Sequence, residues 1–115
     1  MIQMQITIEE LETYLYVQYG DKATVNDHSL FMKLVEEIGE VAEILNQRSG
    51  RKAVDIEDLD TELGKELADV IHYAVAIAAV NNLDLNEIIL NKDKKASIKY
   101  NRAVNLEEFV TRKRG

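Results

Sequence analysis

The chain contains no cysteine, no proline and no tryptophan among its 115 residues. Without cysteine it forms no disulfides or thiolate metal sites, and nothing points to an oxidising compartment. The longest apolar run, residues 74–80, is far too short to span a bilayer. The first residues have neither the basic start nor the apolar stretch of a signal peptide. These absences predict a cytoplasmic globular protein that folds as one domain over residues 1–115, with no membrane partner.

Charge is distributed unevenly along the chain. The formal net charge is −7, yet residues 91–115 carry +5 and residues 1–90 carry −12. An acidic body does not attract a nucleic acid polymer, so we expect no such partner. It could bind a phosphorylated small molecule if metal ions neutralise the acids and the basic tail assists.

Helix-forming residues dominate, and no segment alternates with the period of a strand. A capping box at Thr7–Glu10 predicts a first helix to about residue 19 or 20. Further helices are expected over about residues 29–48, 56–82 and 84–100, with a short final turn in the tail, residues 101–115. We therefore predict an all-α bundle of four to five helices, completed by oligomerisation as a homodimer or homotetramer, since short amphipathic helices leave apolar faces uncovered.

The second helix carries an acidic residue on its apolar side. At about 100° per residue with Glu37 at zero, the apolar arc runs from Ile44, near 340°, through Leu45 to Ile38, near 100°. Glu37 lies inside this arc and Glu40, near 300°, lies on its margin. Outside the arc stand Glu36 and Glu43, of which Glu43 is expected to face water.

The third helix repeats the pattern. With Glu66 at zero, Val70 and Ile77 fall within about 40° of it and Asp69 lies near 300°. Each helix therefore bears an acid pair at i, i+3 whose first member faces inward. Converging carboxylates repel one another unless a cation lies between them, and oxygen ligands suit Mg²⁺, with Mn²⁺ as a substitute. The alternative is that the inward acids reach solvent and pair with lysines such as Lys33, the one cation expected near them.

Two other side chains invite interpretation. His72 follows Asp69 at i+3, as in the Glu-x-x-His element of di-iron bundles, but at about 240° it lies off the acidic face, and His28 has no matching acid. Tyr73 is expected to pack in the core, with lining of a nucleotide pocket as the alternative.

The order Glu36-Glu37-x-x-Glu40, then Glu66-x-x-Asp69, resembles the signature of the MazG-like all-α nucleoside triphosphate pyrophosphohydrolases. The resemblance extends over residues 29–100 and includes the contexts "KLVEEIGEVAE" and "KELADVIHYAVAIA". It implies Mg²⁺-dependent hydrolysis of a nucleoside triphosphate between its α- and β-phosphates, giving a monophosphate and pyrophosphate, for house-cleaning or control of nucleotide pools.

The resemblance also implies roles for individual residues. The expected metal ligands are Glu37, Glu40, Glu66 and Asp69, and the catalytic acids are Glu36 and Glu37, either of which could take the proton of the attacking water. Substrate binding is assigned to Lys33, Tyr73, Lys92, Lys99 and Tyr100. Relatives often carry Lys-x-x-x-Asn-x-x-(Lys/Arg)-Tyr after the third helix, and here Ala96 replaces the asparagine, which puts contacts to the base and sugar in doubt.

Two other functions remain open from the sequence. Phosphoribosyl-ATP pyrophosphohydrolase shares the architecture and an acidic signature, and only the substrate pocket separates the two activities. A helical interaction module without catalysis would also carry such acids as surface charge.

Overall fold

The computed structural model describes residues 3–22, 24–50 and 58–115, and every regular element among them is an α-helix. The helices are α1 (Ile8–Tyr19), α2 (Asp27–Arg48), α3 (Leu59–Val80), α4 (Leu85–Lys99) and α5 (Leu106–Arg114). This confirms the predicted all-α class. None of these helices combines the length and the apolar character that crossing a membrane requires.

Side-chain caps explain where the first two helices begin. Thr7 and Glu10 form the predicted capping box at the start of α1. Helix α2 begins two residues earlier than predicted because Asn26 caps it: its side chain accepts from the Ser29 backbone N–H, and the Ser29 hydroxyl accepts from the Asn26 N–H. The first turn of α2, Asn-Asp-His-Ser, is polar. Apolar periodicity alone therefore places the start of the helix too late. His28, which the predicted boundary placed just before the helix, therefore lies in α2.

The later helix boundaries differ modestly from expectation. Helix α3 starts after its N-cap Asp58, while the predicted start at residue 56 lies outside the described residues. Its end comes at Val80, because Asn82 adopts a φ of 56° that cannot continue a right-handed helix. The predicted final turn is a nine-residue helix, α5, which starts with an Asn105–Glu108 capping box.

Helices α2 and α3 form an antiparallel pair. Arg48 at the end of α2 forms an ion pair with Asp60 at the start of α3, at 3.3 Å. At the opposite end, Leu30 of α2 shares a core cluster with Val75 and nearby residues of α3. Helix α1 packs against α3, α4 packs against α1, and α5 packs against α4.

The core is small and lies where α1 meets the α2–α3 pair. Its buried members are Leu15, Leu30, Val75, Ala76 and Ala79. Two residues that the projection placed on the inner arc of α2 are instead exposed: Ile38 by 52% and Leu45 by 47%. The apolar arc of α2 is therefore wider than the surface that α3 covers.

Candidate metal centre

The structure brings together three of the four predicted metal ligands. Glu37 and Glu40 on α2 and Glu66 on α3 each place one carboxylate oxygen within 4.8 Å of the other two. Glu37 and Glu66 are half-buried between the helices, and Glu40 is exposed at the edge. The i, i+3 spacing on α2 directs both of its acids towards Glu66, so the cluster follows from the antiparallel packing of the two helices.

Two oxygens of this cluster have no hydrogen-bond donor among the described residues. Glu37 Oε2 and Glu66 Oε2 are buried and, with the carboxylates ionised, accept no hydrogen bond from the described residues. A buried carboxylate oxygen without a donor is unfavourable, because desolvation is not offset by hydrogen bonding. A proton, a bound water or a cation, none of them supplied by the donors of the described residues, would satisfy these oxygens.

A proton is one way to satisfy these oxygens, and the raised pKa of Glu66 supports it. Hydrogen bonds with the carboxyl groups of Glu40 and Glu37 raise the pKa of Glu66 to about 8, and burial and the negative charge of the same two acids add to the rise. Three carboxylates this close cannot all be ionised without a counter-charge. In the absence of a cation, the cluster holds a proton near neutral pH.

The donor set fits a hard divalent cation. The three carboxylates supply oxygen ligands only, and the three residues come from two helices that hold their backbones in place. Mg²⁺ and Mn²⁺ prefer such ligands, whereas no cysteine exists in the chain to favour a soft metal. The geometry therefore supports a cation site at Glu37, Glu40 and Glu66.

The other acids of the predicted site lie around this cluster. Asp69, one turn after Glu66 on α3, is exposed and is not among the three clustered residues. Glu36 is also exposed, and its carboxylate lies 3.5 Å from the Lys33 ammonium group. Glu43, expected to face water, is half-buried. Asp69 therefore remains a predicted ligand, and Glu36 and Lys33 lie beside the cluster and not in it.

Three further predicted substrate residues lie on α4 or at its C-cap, and α4 packs against α1 and α5. Lys92, Lys99 and Tyr100 are exposed there. The Lys99 ammonium nitrogen lies 5.3 Å from the centre of the Tyr100 ring. Arg102, which the motif did not predict, lies 5.7 Å from the same ring. In the sequence, the position of Arg102 two residues after this tyrosine is the only indication that the two side chains lie close together.

Ala96 occupies the expected asparagine position on α4. Its carbonyl accepts the hydrogen bond of the Tyr100 N–H, and its side chain is half-buried. It adds no polar group at this turn of α4.

Tyr73 belongs mainly to the core. Its ring meets that of His72 edge to face, with centroids 4.9 Å apart, and it packs against the buried cluster. His72 Nε2 lies 2.9 Å from the Tyr19 hydroxyl of α1. This contact, which the sequence did not predict, engages the histidine on the side of α3 that faces α1. It also agrees with the projection that placed His72 off the acidic face.

Comparison with known proteins identifies the class. The family model of the MazG nucleotide pyrophosphohydrolase domain matches residues 25–103. The chain belongs to this family, and membership implies nucleotide pyrophosphohydrolase activity as a general class.

A solved structure supports the same relationship. The crystal structure of iMazG from Vibrio DAT 722, an N-terminally tagged form, matches with a TM-score of 0.61 and 28% identity. The match covers 84% of this chain and 100% of that one. No curated protein matches the sequence.

Proposed function

We propose that the protein is a Mg²⁺-dependent pyrophosphohydrolase that cleaves nucleoside or deoxynucleoside triphosphates to the monophosphate and pyrophosphate. The observation that carries this proposal is the convergence of Glu37, Glu40 and Glu66, with two buried oxygens that have no hydrogen-bond donor among the described residues. Such a cluster is costly for stability unless it holds a proton or binds a cation, which supports a binding role over simple surface charge.

The carboxylates would hold the ion between α2 and α3. Glu37, Glu40 and Glu66 supply the oxygens, and Asp69, one turn further along α3, is the proposed fourth ligand. A bound divalent cation supplies charge neutralisation for the triphosphate and lowers the pKa of a bound water. The proposed ligands come from two packed helices, so the site requires little reorganisation on binding.

Glu36 is suited to the role of general base. It is adjacent to the cluster residue Glu37 but outside the cluster, exposed to water, and accompanied by the Lys33 ammonium group at 3.5 Å. Glu37 is the less suitable base because its carboxylate is engaged with Glu66. We therefore assign proton abstraction to Glu36 and cation binding to Glu37.

Cations on α4 and beside the cluster would bind the triphosphate. Lys92 and Lys99 are exposed. The Lys33 ammonium group, now paired with Glu36, could instead pair with a phosphate oxygen of the substrate. Fixed positive charge near the departing pyrophosphate stabilises the charge that develops on it. Tyr100, between Lys99 and Arg102, offers a flat surface for stacking with a base. Tyr73, packed in the core, is the weakest of the proposed substrate contacts.

A pyrophosphate-release screen tests the activity. The panel contains all NTPs, dNTPs and phosphoribosyl-ATP, each with Mg²⁺ or Mn²⁺. We expect release from at least one nucleoside triphosphate, loss of release on chelation, and loss in Glu66→Gln. The matched control is Glu87→Gln, an exposed glutamate of α4, which should retain wild-type activity.

The outcomes separate the candidate functions. Release from phosphoribosyl-ATP alone would assign the chain to the histidine-biosynthesis type of pyrophosphohydrolase. No release from any substrate, with no stabilisation by either metal, would identify a non-catalytic helical module and refute the proposal.

A further inference from the structure

Helix α4 carries the proposed substrate-binding lysines but does not pack directly on the pair of helices that forms the metal centre. Among the described helices, substantial packing joins α2 with α3, α1 with α3, α1 with α4, and α4 with α5. A short link, residues 81–84, connects α3 to α4 and sets where α4 begins. The direction of α4 is then set by the surface on which it packs, and that surface belongs to α1.

Helix α1 is itself anchored on α3. Leu15 of α1 is fully buried in the core cluster, together with Val75 and Ala76 of α3. At the end of α1, the Tyr19 hydroxyl lies 2.9 Å from Nε2 of His72, also on α3. Because interiors of this kind are close-packed, α1 offers α4 a surface whose position relative to the metal centre is fixed.

A hydrogen bond from the start of α4 to α1 joins the two helices. The backbone N–H of Leu85 donates to Glu12 Oε1 at 3.1 Å. Leu85 is the first residue of α4, and the N-cap side chain, Asp84, accepts instead from the Glu87 N–H. An N-cap side chain reaches the second or third helical N–H, so the first N–H takes its acceptor from water or from another element. Here Glu12 supplies that acceptor.

Charge and burial both strengthen this contact. Glu12 and Leu85 are half-buried, and the Leu85 side chain packs against the core cluster. A carboxylate at a helix N-terminus interacts favourably with the positive end of the helix dipole, and a charged acceptor makes a stronger hydrogen bond than a neutral one. One charged contact and one apolar contact therefore tie the first turn of α4 to the rest of the fold.

Glu12 lies outside the part of the chain that matches the family model, residues 25–103, and 73 positions before Leu85. The acidic signature and the lysine motif both fall within the matched residues. The link between Glu12 and the helix of the lysines follows from the tertiary structure alone.

We propose, on the basis of the proposed function, that Glu12 is a positioning residue for the substrate. By holding the first turn of α4 against α1, it fixes Lys92 and Lys99 where they bind the triphosphate. Glu12 contacts neither the substrate nor the cation and acts through the backbone of α4.

Steady-state kinetics test this role, with the nucleoside triphosphate that is cleaved best in the release screen. Glu12→Ala should raise KM about five- to tenfold and lower kcat by a smaller factor, because misplaced lysines bind the triphosphate less well. Glu12→Gln keeps an oxygen acceptor and should return KM to within about twofold of the wild type. Glu9→Ala, which removes an exposed acid of the same helix, is the matched control and should change neither constant. A simple loss of folded protein would lower kcat and leave KM unchanged.

A double-mutant cycle tests whether Glu12 acts through the lysines. In a chain that carries both Lys92→Ala and Lys99→Ala, adding Glu12→Ala should raise KM by less than about twofold, because the groups that Glu12 positions are gone. An increase as large as in the parent chain would refute positioning through these two lysines.

Hydrogen exchange followed by mass spectrometry reports on α4 without any substrate. Glu12→Ala should speed exchange in the first turn of α4 about fivefold, whereas Glu12→Gln and Glu9→Ala should not. Circular dichroism should show unchanged helicity in all three variants. Unchanged exchange, or an unchanged KM, in Glu12→Ala would refute the role of Glu12. A wild type that cleaves no nucleoside triphosphate would instead refute the proposed function and the substrate role that rests on it, while the exchange rates still decide whether Glu12 holds α4.

Discussion

The proton held by the carboxylate cluster should make binding of the proposed cation dependent on pH. Glu66 has a pKa raised to about 8 by hydrogen bonds with Glu40 and Glu37 and by burial. At pH 7 a cation must therefore displace a proton before it gains all three carboxylates. From that pKa, binding should release roughly 0.9 proton at pH 7 and only about 0.1 at pH 9.

The same linkage gives the change in affinity. Below pH 8 the apparent dissociation constant for Mg²⁺ or Mn²⁺ should fall about tenfold for each unit of pH. The affinity for the ion should rise about 50-fold between pH 6 and pH 8, and only about twofold between pH 8 and pH 9. An ordinary exposed glutamate, ionised well below pH 6, would give no change over this range.

Calorimetric titration at pH 6, 7, 8 and 9, in two buffers of different protonation enthalpy, measures both the affinity and the number of protons released. Glu66→Gln should bind weakly with little dependence on pH, and Glu87→Gln should reproduce the wild type. A wild-type dissociation constant that stays constant from pH 6 to pH 8, with no proton release, would refute the idea that this cluster binds the ion.

Three further predictions concern stability. Without metal, thermal denaturation should show stability falling as pH rises from about 4.5 through 8, because the pKa of Glu66 is higher in the folded chain, and added Mn²⁺ or Glu66→Gln should remove that fall. Leu15→Ala should lower the free energy of unfolding in urea by about 3 kcal/mol, because Leu15 is fully buried, while Val17→Ala on the same helix should change it by less than about 0.5 kcal/mol. Asn26→Ala removes the α2 cap and should cost about 1 kcal/mol, so a loss below the error of a urea titration would contradict the capping account.

Much of the fold was predictable because its signals are local. The Thr7–Glu10 box starts α1 where expected, and α4 begins next to residue 84, also where expected, with Asp84 as its N-cap, because an N-cap depends only on residues within one turn. The start of α2 was missed by two residues because Asn26 and Ser29 form a capping box outside the apolar pattern. Boundaries at polar first turns are the ones that periodicity defines least well.

The candidate site was predictable in part. Periodicity placed Glu37 and Glu66 on the inner side of their helices, and the structure joins them with Glu40. The position of Asp69 outside that cluster depends on the relative rotation and translation of α2 and α3, which no single-helix projection contains. The contact between His72 and Tyr19 joins residues 53 positions apart, so it too had no local signal.

By itself the sequence determined the helices, the absence of thiol chemistry, and the presence of two acid pairs on apolar faces, because composition and spacing act within single turns. Only the tertiary structure decided which three carboxylates meet, which side of α2 stays exposed, and where α4 carries its lysines. A helix can satisfy its own hydrogen bonds, but the burial of an apolar arc depends on the width of the neighbour that packs against it. On α2 that neighbour covers only part of the arc, and it leaves Ile38 and Leu45 about half exposed.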